Sequence, residues 1–246
     1  MTDDNPFAPA GESESSNAAT RGAVPLDLGA ILQRCLDITL ESPLLVVGAL
    51  LIPVVLTLPF VGGGVALDIA SEGLTPEESL PYQAVGFGLD LINFVISLFL
   101  QVGSMRIFWN LATGRPADLS MLLRGADRFL PLLAVTLIYV TAMLAGFCLL
   151  VVPAFIVGLG FGQAQYATVV RGLGPLEALQ HSWEITDGHK VTLFLLGLVV
   201  FAIALALTCV TCGVGYLLAI PVLALVQAVT YQSLLAIAGQ GDEVAG

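Results

Sequence analysis

Residues 191 to 211 read Val-Thr-Leu-Phe-Leu-Leu-Gly-Leu-Val-Val-Phe-Ala-Ile-Ala-Leu-Ala-Leu-Thr-Cys-Val-Thr, 21 positions without a charge, with Lys190 directly before them. An α-helix needs about 20 such residues to cross the hydrocarbon of a bilayer. Comparable stretches lie at about 43–66, 85–107, 129–152, 153–170 and 214–238. They fall into pairs, and the connection inside each pair holds no Lys or Arg. All eight basic residues, at 21, 34, 106, 115, 124, 128, 171 and 190, lie before the first pair, between pairs or at a pair's edge. Basic residues stay on the cytoplasmic face. The reading is therefore an even number of spans with the N and C termini cytoplasmic. The expected fold is all-α and polytopic: six transmembrane helices as three hairpins, each preceded by a cytoplasmic interfacial amphipathic helix.

Composition agrees. The chain is 57% hydrophobic and 11% charged, with a mean hydropathy of +0.94. A soluble domain has too little polar surface at that composition to cover its outside. The net charge of −11 comes from the N-terminal tail, one outer loop and the extreme C-terminus. Acidic residues contribute little to orientation, so they do not oppose the charge asymmetry. Without a basic stripe, nucleic acid is excluded as a partner. The start, Met1-Thr2-Asp3-Asp4-Asn5-Pro6, is acidic where a cleavable signal is basic, so none is expected.

Residues 1–24 are polar and read as a disordered cytoplasmic tail. From Pro25 to Ser42 the pattern is amphipathic, with Leu28, Ile31, Leu32, Cys35 and Leu36 near one face. In the first span, Pro53 and Pro59 should kink the helix or break its ladder, and Gly62-Gly63-Gly64 marks its outer end. Thr75-Pro76-Glu77-Glu78 is a helix start, with Thr as cap and Glu three residues on. Asp118 to Phe129 reads as a second short amphipathic helix. Gly174-Pro175-Leu176-Glu177-Ala178 opens a third, capped by Gly188. Residues 239–246 form a short cytoplasmic end.

The unit of amphipathic helix plus hairpin reads as recurring along the chain. Leu32-Gln33-Arg34-Cys35-Leu36-Asp37-Ile38-Thr39 aligns without gaps to Leu179-Gln180-His181-Ser182-Trp183-Glu184-Ile185-Thr186. Duplication and the shared demands of any interfacial helix before a span account for it equally well.

Gly174-Pro175-Leu176-Glu177-Ala178-Leu179, Ser182-Trp183, Thr186-Asp187-Gly188-His189, Gly215, Pro221 and Tyr231-Gln232-Ser233-Leu234 carry a resemblance. Over about 105–238 the chain resembles bacterial six-span membrane proteins, among them the membrane domain attached to some glycerophosphodiester phosphodiesterases. The resemblance implies that fold and a bacterial plasma (inner) membrane. The soluble phosphodiesterase domain, with its metal-binding acids and histidines, has no counterpart in this sequence, so hydrolase activity is not implied.

The sharpest polar pattern lies on the second span: Asp90, Asn93, Ser97, Gln101 and Ser104, spaced 3, 4, 4 and 3 and so on one helical face. Gln163 and Tyr166 on the fourth span and Gln227 and Tyr231 on the sixth are candidates to face it. Two readings stand: hydrogen bonds between helices, or a polar cavity for a solute or lipid headgroup, for which Asp90 is the main pointer. Cys209 and Cys212 lie at the turn between the fifth and sixth spans, either as a disulfide or as small buried apolar groups. His181 and His189 are too far apart to chelate as an adjacent pair. No catalytic residue, metal ligand or cofactor site is read from the sequence. The expectation is a non-enzymatic accessory or scaffold, with membrane lipids and another membrane protein as partners; a carrier or channel for a small solute or lipid is the alternative.

Overall fold

A computed structural model describes residues 26–149, 151–211 and 214–240, with the backbone alone at 148–149, 151–154, 214–219 and 221. The expected tail 1–24, Cys212 and the end beyond Gln240 lie outside the described residues. The described chain is all-α. Its helices are α1 (Leu28–Glu41), α2 (Pro43–Ser71), α3 (Pro76–Ala112), α4 (Phe129–Leu149), α5 (Val151–Phe161), α6 (Pro175–Thr186), α7 (Lys190–Val210) and α8 (Val214–Ile237). Four of them, α2, α3, α4 and α7, are long and apolar enough to cross a membrane; Val222–Ile237 of α8 is a shorter apolar stretch.

Local signals set several boundaries. At α3 the Glu78 carboxylate accepts from the Thr75 N–H at 3.0 Å and from its hydroxyl at 2.8 Å. These bonds, the backbone one first, hold the Glu78 carboxyl below its usual range. Between α3 and α4 the expected amphipathic helix is a single 3-10 turn, Leu119–Leu123. Asp118 begins it by accepting from Ser120 N at 3.4 Å and Ser120 Oγ at 3.0 Å. That turn lies against α3 where Gly103 leaves room: a Cβ there would strike the backbone of Leu122.

Two further expectations are corrected. The glycines at 62–64 do not end the first span, because α2 runs on through them to Ser71. Gly63 serves packing instead, since a Cβ there would sit 3.1 Å from Leu89 of α3. The fourth span, expected continuous over 153–170, is broken. α5 stops at Phe161, a short helical turn spans Ala164–Tyr166, and a π turn covers Ala167–Arg171.

α2 packs along α3, α4 against α5, and α7 against α8, while α8 also crosses α1 and α3. The core is continuous, joining Ile31, Cys35 and Ile38 of α1 to Ile107 and Phe108 of α3 and to Leu225, Val229 and Tyr231 of α8. The amphipathic α1 thus presses its apolar face onto the ends of long helices.

One interhelical bond follows directly from sequence. Pro53 has no N–H, so the Ala49 carbonyl four residues earlier loses its helical donor. Ser104 of α3 supplies the donor, Oγ to Ala49 O, at 3.0 Å. Ser104→Ala should therefore lower unfolding stability in detergent by about 1–2 kcal/mol. Adding Pro53→Ala restores an N–H to that carbonyl and should recover most of the loss. Simply additive losses in the double variant would refute the pairing.

Candidate functional site

The face carrying the polar stripe of α3 splits along its length. Asp90 is exposed near the Pro76 end, and Asn93 is half-buried with its Oδ1 unpartnered among the described residues. Lower on the helix, Ser97, Gln101 and Ser104 line a cavity of about 330 Å³ with Thr57 of α2, Tyr166 and Gln227. Five of the residues proposed from sequence, Ser97, Gln101, Ser104, Tyr166 and Gln227, therefore share one cavity. Two others go elsewhere. Gln163 lines a second, larger cavity of about 750 Å³ between α5, α7 and α8. Tyr231 is wholly buried in an aromatic cluster, its ring 5.5 Å from Trp109, 5.8 Å from Tyr166 and 6.4 Å from His181. Cys209 is exposed; its suggested partner Cys212 lies outside the described residues.

Around the smaller cavity, polar groups are largely committed to neighbouring helices. Gln101 Nε2 donates to Gln165 Oε1 at 3.1 Å, and Gln165 Nε2 reaches Thr136 Oγ1 at 3.4 Å. Tyr166 donates its hydroxyl to Ala224 O at 3.3 Å. These contacts tie α3, α4, the Ala164–Tyr166 turn and α8 together. Gln165 and Thr136 escaped the sequence reading, because neither continues a stripe.

The break after α5 has its own splint. Ser182 of α6 is fully buried; its Oγ donates to Gly160 O at 2.7 Å and accepts from Gln163 N at 3.2 Å. Thr186 reaches the same carbonyl at 3.4 Å. A Cβ on Gly160 would run into the Trp183 ring, so glycine lets α6 come this close. α6 is thus seated on its Ala178, Ser182 and Ile185 face. The corresponding face of α1, Ile31, Cys35 and Ile38, is buried too. One bond recurs at the aligned positions: Thr39 Oγ1 to Cys35 O at 2.7 Å, and Thr186 Oγ1 to Ser182 O at 2.8 Å. Burial pushes the Cys35 thiol up to about 12 despite nearby Arg34, so it stays protonated at neutral pH.

Basic residues fasten the connections where these helices end. Arg106 bonds to Asp127 at 2.6 Å and to Arg124 O at 2.6 Å. Arg128 donates to Gly172 O at 3.1 Å. Arg171 reaches His181 Nε2 at 3.1 Å and Gln240 Oε1 at 2.8 Å. Lys190 lies 3.7 Å over the Trp183 ring and 3.3 Å from Asp187. None of these groups, nor any other among the described residues, forms a cluster able to hold a metal.

Residues 119–241, half of the chain, match the family described as Domain of unknown function (DUF7847), and the chain belongs to that family. The match brings no link to phosphodiesterase membrane domains. No curated protein and no solved structure matches the chain.

Ser182→Ala removes a donor and an acceptor from a buried helix break and should cost about 2–3 kcal/mol, read as a lower unfolding midpoint in detergent. Asp127 gives a pH test. The Arg106 hydrogen bond holds its carboxyl below the usual carboxylate range. A depressed carboxyl stabilises the fold fully above its unfolded value of about 3.9, and that contribution is lost as pH falls through the lower folded value. Asp127→Asn should flatten the acid limb below about pH 4, by under about 1 kcal/mol because the side chain is 58% exposed. An unchanged acid limb would count against the pair.

Proposed function

We propose that this DUF7847 member is a non-enzymatic integral membrane protein that organises lipids or a partner protein. It crosses a plasma membrane six times as three hairpins, with both termini on the cytoplasmic side. The observation that carries the reading is the destination of the polar side chains. Gln101, Ser104 and Tyr166 spend their hydrogen bonds on neighbouring helices, as groups that hold a bundle together do. Support for the topology comes from four apolar helices of spanning length and from the basic residues gathered at the connections. The matching faces of α1 and α6 support a repeated unit of amphipathic helix plus paired spans.

A second reading, a carrier or channel for a small solute or lipid, draws on the 330 Å³ cavity shared by Ser97, Gln101, Tyr166 and Gln227.

Single cysteines introduced in a variant without native cysteines test the topology. Leu74→Cys should react with an impermeant maleimide from outside intact cells, and His189→Cys only after the membrane is opened. Equal labelling of both from one side would overturn the six-span arrangement. Native mass spectrometry after gentle extraction tests the role. A stoichiometric protein partner or bound lipid should be retained, and Ser97→Leu, which fills part of the 330 Å³ cavity, should leave it in place. Loss of that species in Ser97→Leu, with unfolding unchanged, would transfer the argument to the carrier.

A further inference from the structure

The larger cavity, about 750 Å³, is a long slot walled by α5, α7 and α8. Its size falls in the range of small-molecule sites, about 300–1,000 Å³. Phe201 and Leu205 of α7 form its rim and are themselves exposed on the apolar surface of that helix. In a bilayer the slot therefore opens to lipid rather than to water.

Its lining combines two features. None of its described lining residues is charged. Yet Gln163, 7% exposed, and Thr230, 2% exposed, bring buried polar atoms to it, Gln163 Oε1 and Thr230 Oγ1, that have no hydrogen-bond partner among the described residues. A buried polar atom left unpaired costs about 1–3 kcal/mol, so a fold that keeps two beside one slot gains when a ligand pairs them. Gln227, three residues before Thr230 on α8, lines the slot as well. Thr208, further along, is already occupied, donating to Ala204 O at 2.7 Å. Among the described residues, the buried unpaired side-chain atoms that an otherwise apolar slot offers are thus Gln163 Oε1 and Thr230 Oγ1.

We propose that this slot binds a neutral bilayer lipid, its chain lying along α7 and its uncharged hydroxyl or ester group meeting Gln163 and Thr230. The two atoms select the head chemistry. Gln163 Oε1 accepts only, so it calls for a hydroxyl or amide donor; Thr230 Oγ1 donates to an ester or hydroxyl oxygen. A phosphate or ammonium head would lie in low dielectric with no counter-charge on the described walls, which is costly. The proposal rests on the membrane reading above and adds to it the class of lipid held.

The test uses the full chain in phosphatidylcholine vesicles carrying a trace of diacylglycerol with a photoactivatable diazirine in one acyl chain. The comparator is phosphatidylglycerol with the same chains and label. Diacylglycerol should label peptides of α7 and α8, and unlabelled diacylglycerol should compete. Gln163→Leu should cut labelling by about fivefold, the loss expected for one hydrogen bond. Gly197→Leu is the second variant. Gly197 lines the slot, and a Cβ there meets nothing within 4 Å, so the new side chain fills the slot without straining the fold. It should reduce labelling at least as far while leaving the unfolding midpoint unchanged. Labelling that survives Gly197→Leu, equal labelling by phosphatidylglycerol, or label replaced by cross-links to a second copy would each overturn the proposal. The maleimide experiment separates the two failures: correct sidedness without lipid labelling removes this inference alone, whereas wrong sidedness removes the membrane topology beneath it.

Discussion

Hydrocarbon offers no hydrogen bonds, so any backbone group that a helix leaves open must be paired by the protein itself. Two such openings organise this molecule. Pro53 opens α2 at Ala49 O, and Ser104 of α3 pairs it. The end of α5 opens at Gly160 O and Gln163 N, and Ser182 of α6 pairs both. Each repair comes from a different element, so each fixes the distance and rotation of two helices at once. Dispersion alone would let apolar helices slide and turn past one another, since lipid tails are as apolar as their side chains.

This division gives the polar residues of the bundle two classes. Ser104 and Ser182 complete broken backbone ladders, while the Gln101–Gln165–Thr136 chain joins side chains of α3, the Ala164–Tyr166 turn and α4. Gln163, Thr230 and Gln227 belong to neither, for they line the larger slot. Gln163 shows how the two classes meet in one residue: its backbone N–H is consumed by Ser182, which sets its side chain beside the large slot. Helix breaks in membrane-embedded chains are tolerated where they line a cavity, and the break after α5 follows that rule.

The parts legible in sequence are those fixed within a few residues. The start of α3 depends on Thr75 and Glu78, and that of α6 on Gly174 and Pro175. The stripe on α3 was legible as a face, because spacing alone defines a face. Its partners were not, because they depend on which helix lies opposite. Asp90 drew attention as an acid within an apolar stretch, yet it is exposed, whereas the less conspicuous Gln101 forms a bond across 64 positions of chain. The glycine run at 62–64 was misread for a related reason: glycine marks both the end of a helix and the approach of another, and only α3 decides between them. The break after α5 was not read from sequence although Gly162 and Gln163 stand at it, because what makes it tenable is Ser182, 19 positions away.

The pairing of α1 with α6 gives that last point a sharper form. The two helices share a register, bury three aligned pairs of positions and carry the same Thr-to-carbonyl bond four residues back. They differ at the most buried aligned position, Cys35 in one and Ser182 in the other. A thiol is a weak donor that packs as a small apolar group, and burial keeps it protonated. A hydroxyl both donates and accepts. The hydroxyl stands where a helix break presents a carbonyl and an N–H together. One atom's difference between aligned positions thus assigns one amphipathic helix to packing and the other to repair. By requiring α6 beneath the break, that repair also helps hold the slot between α5, α7 and α8 in shape.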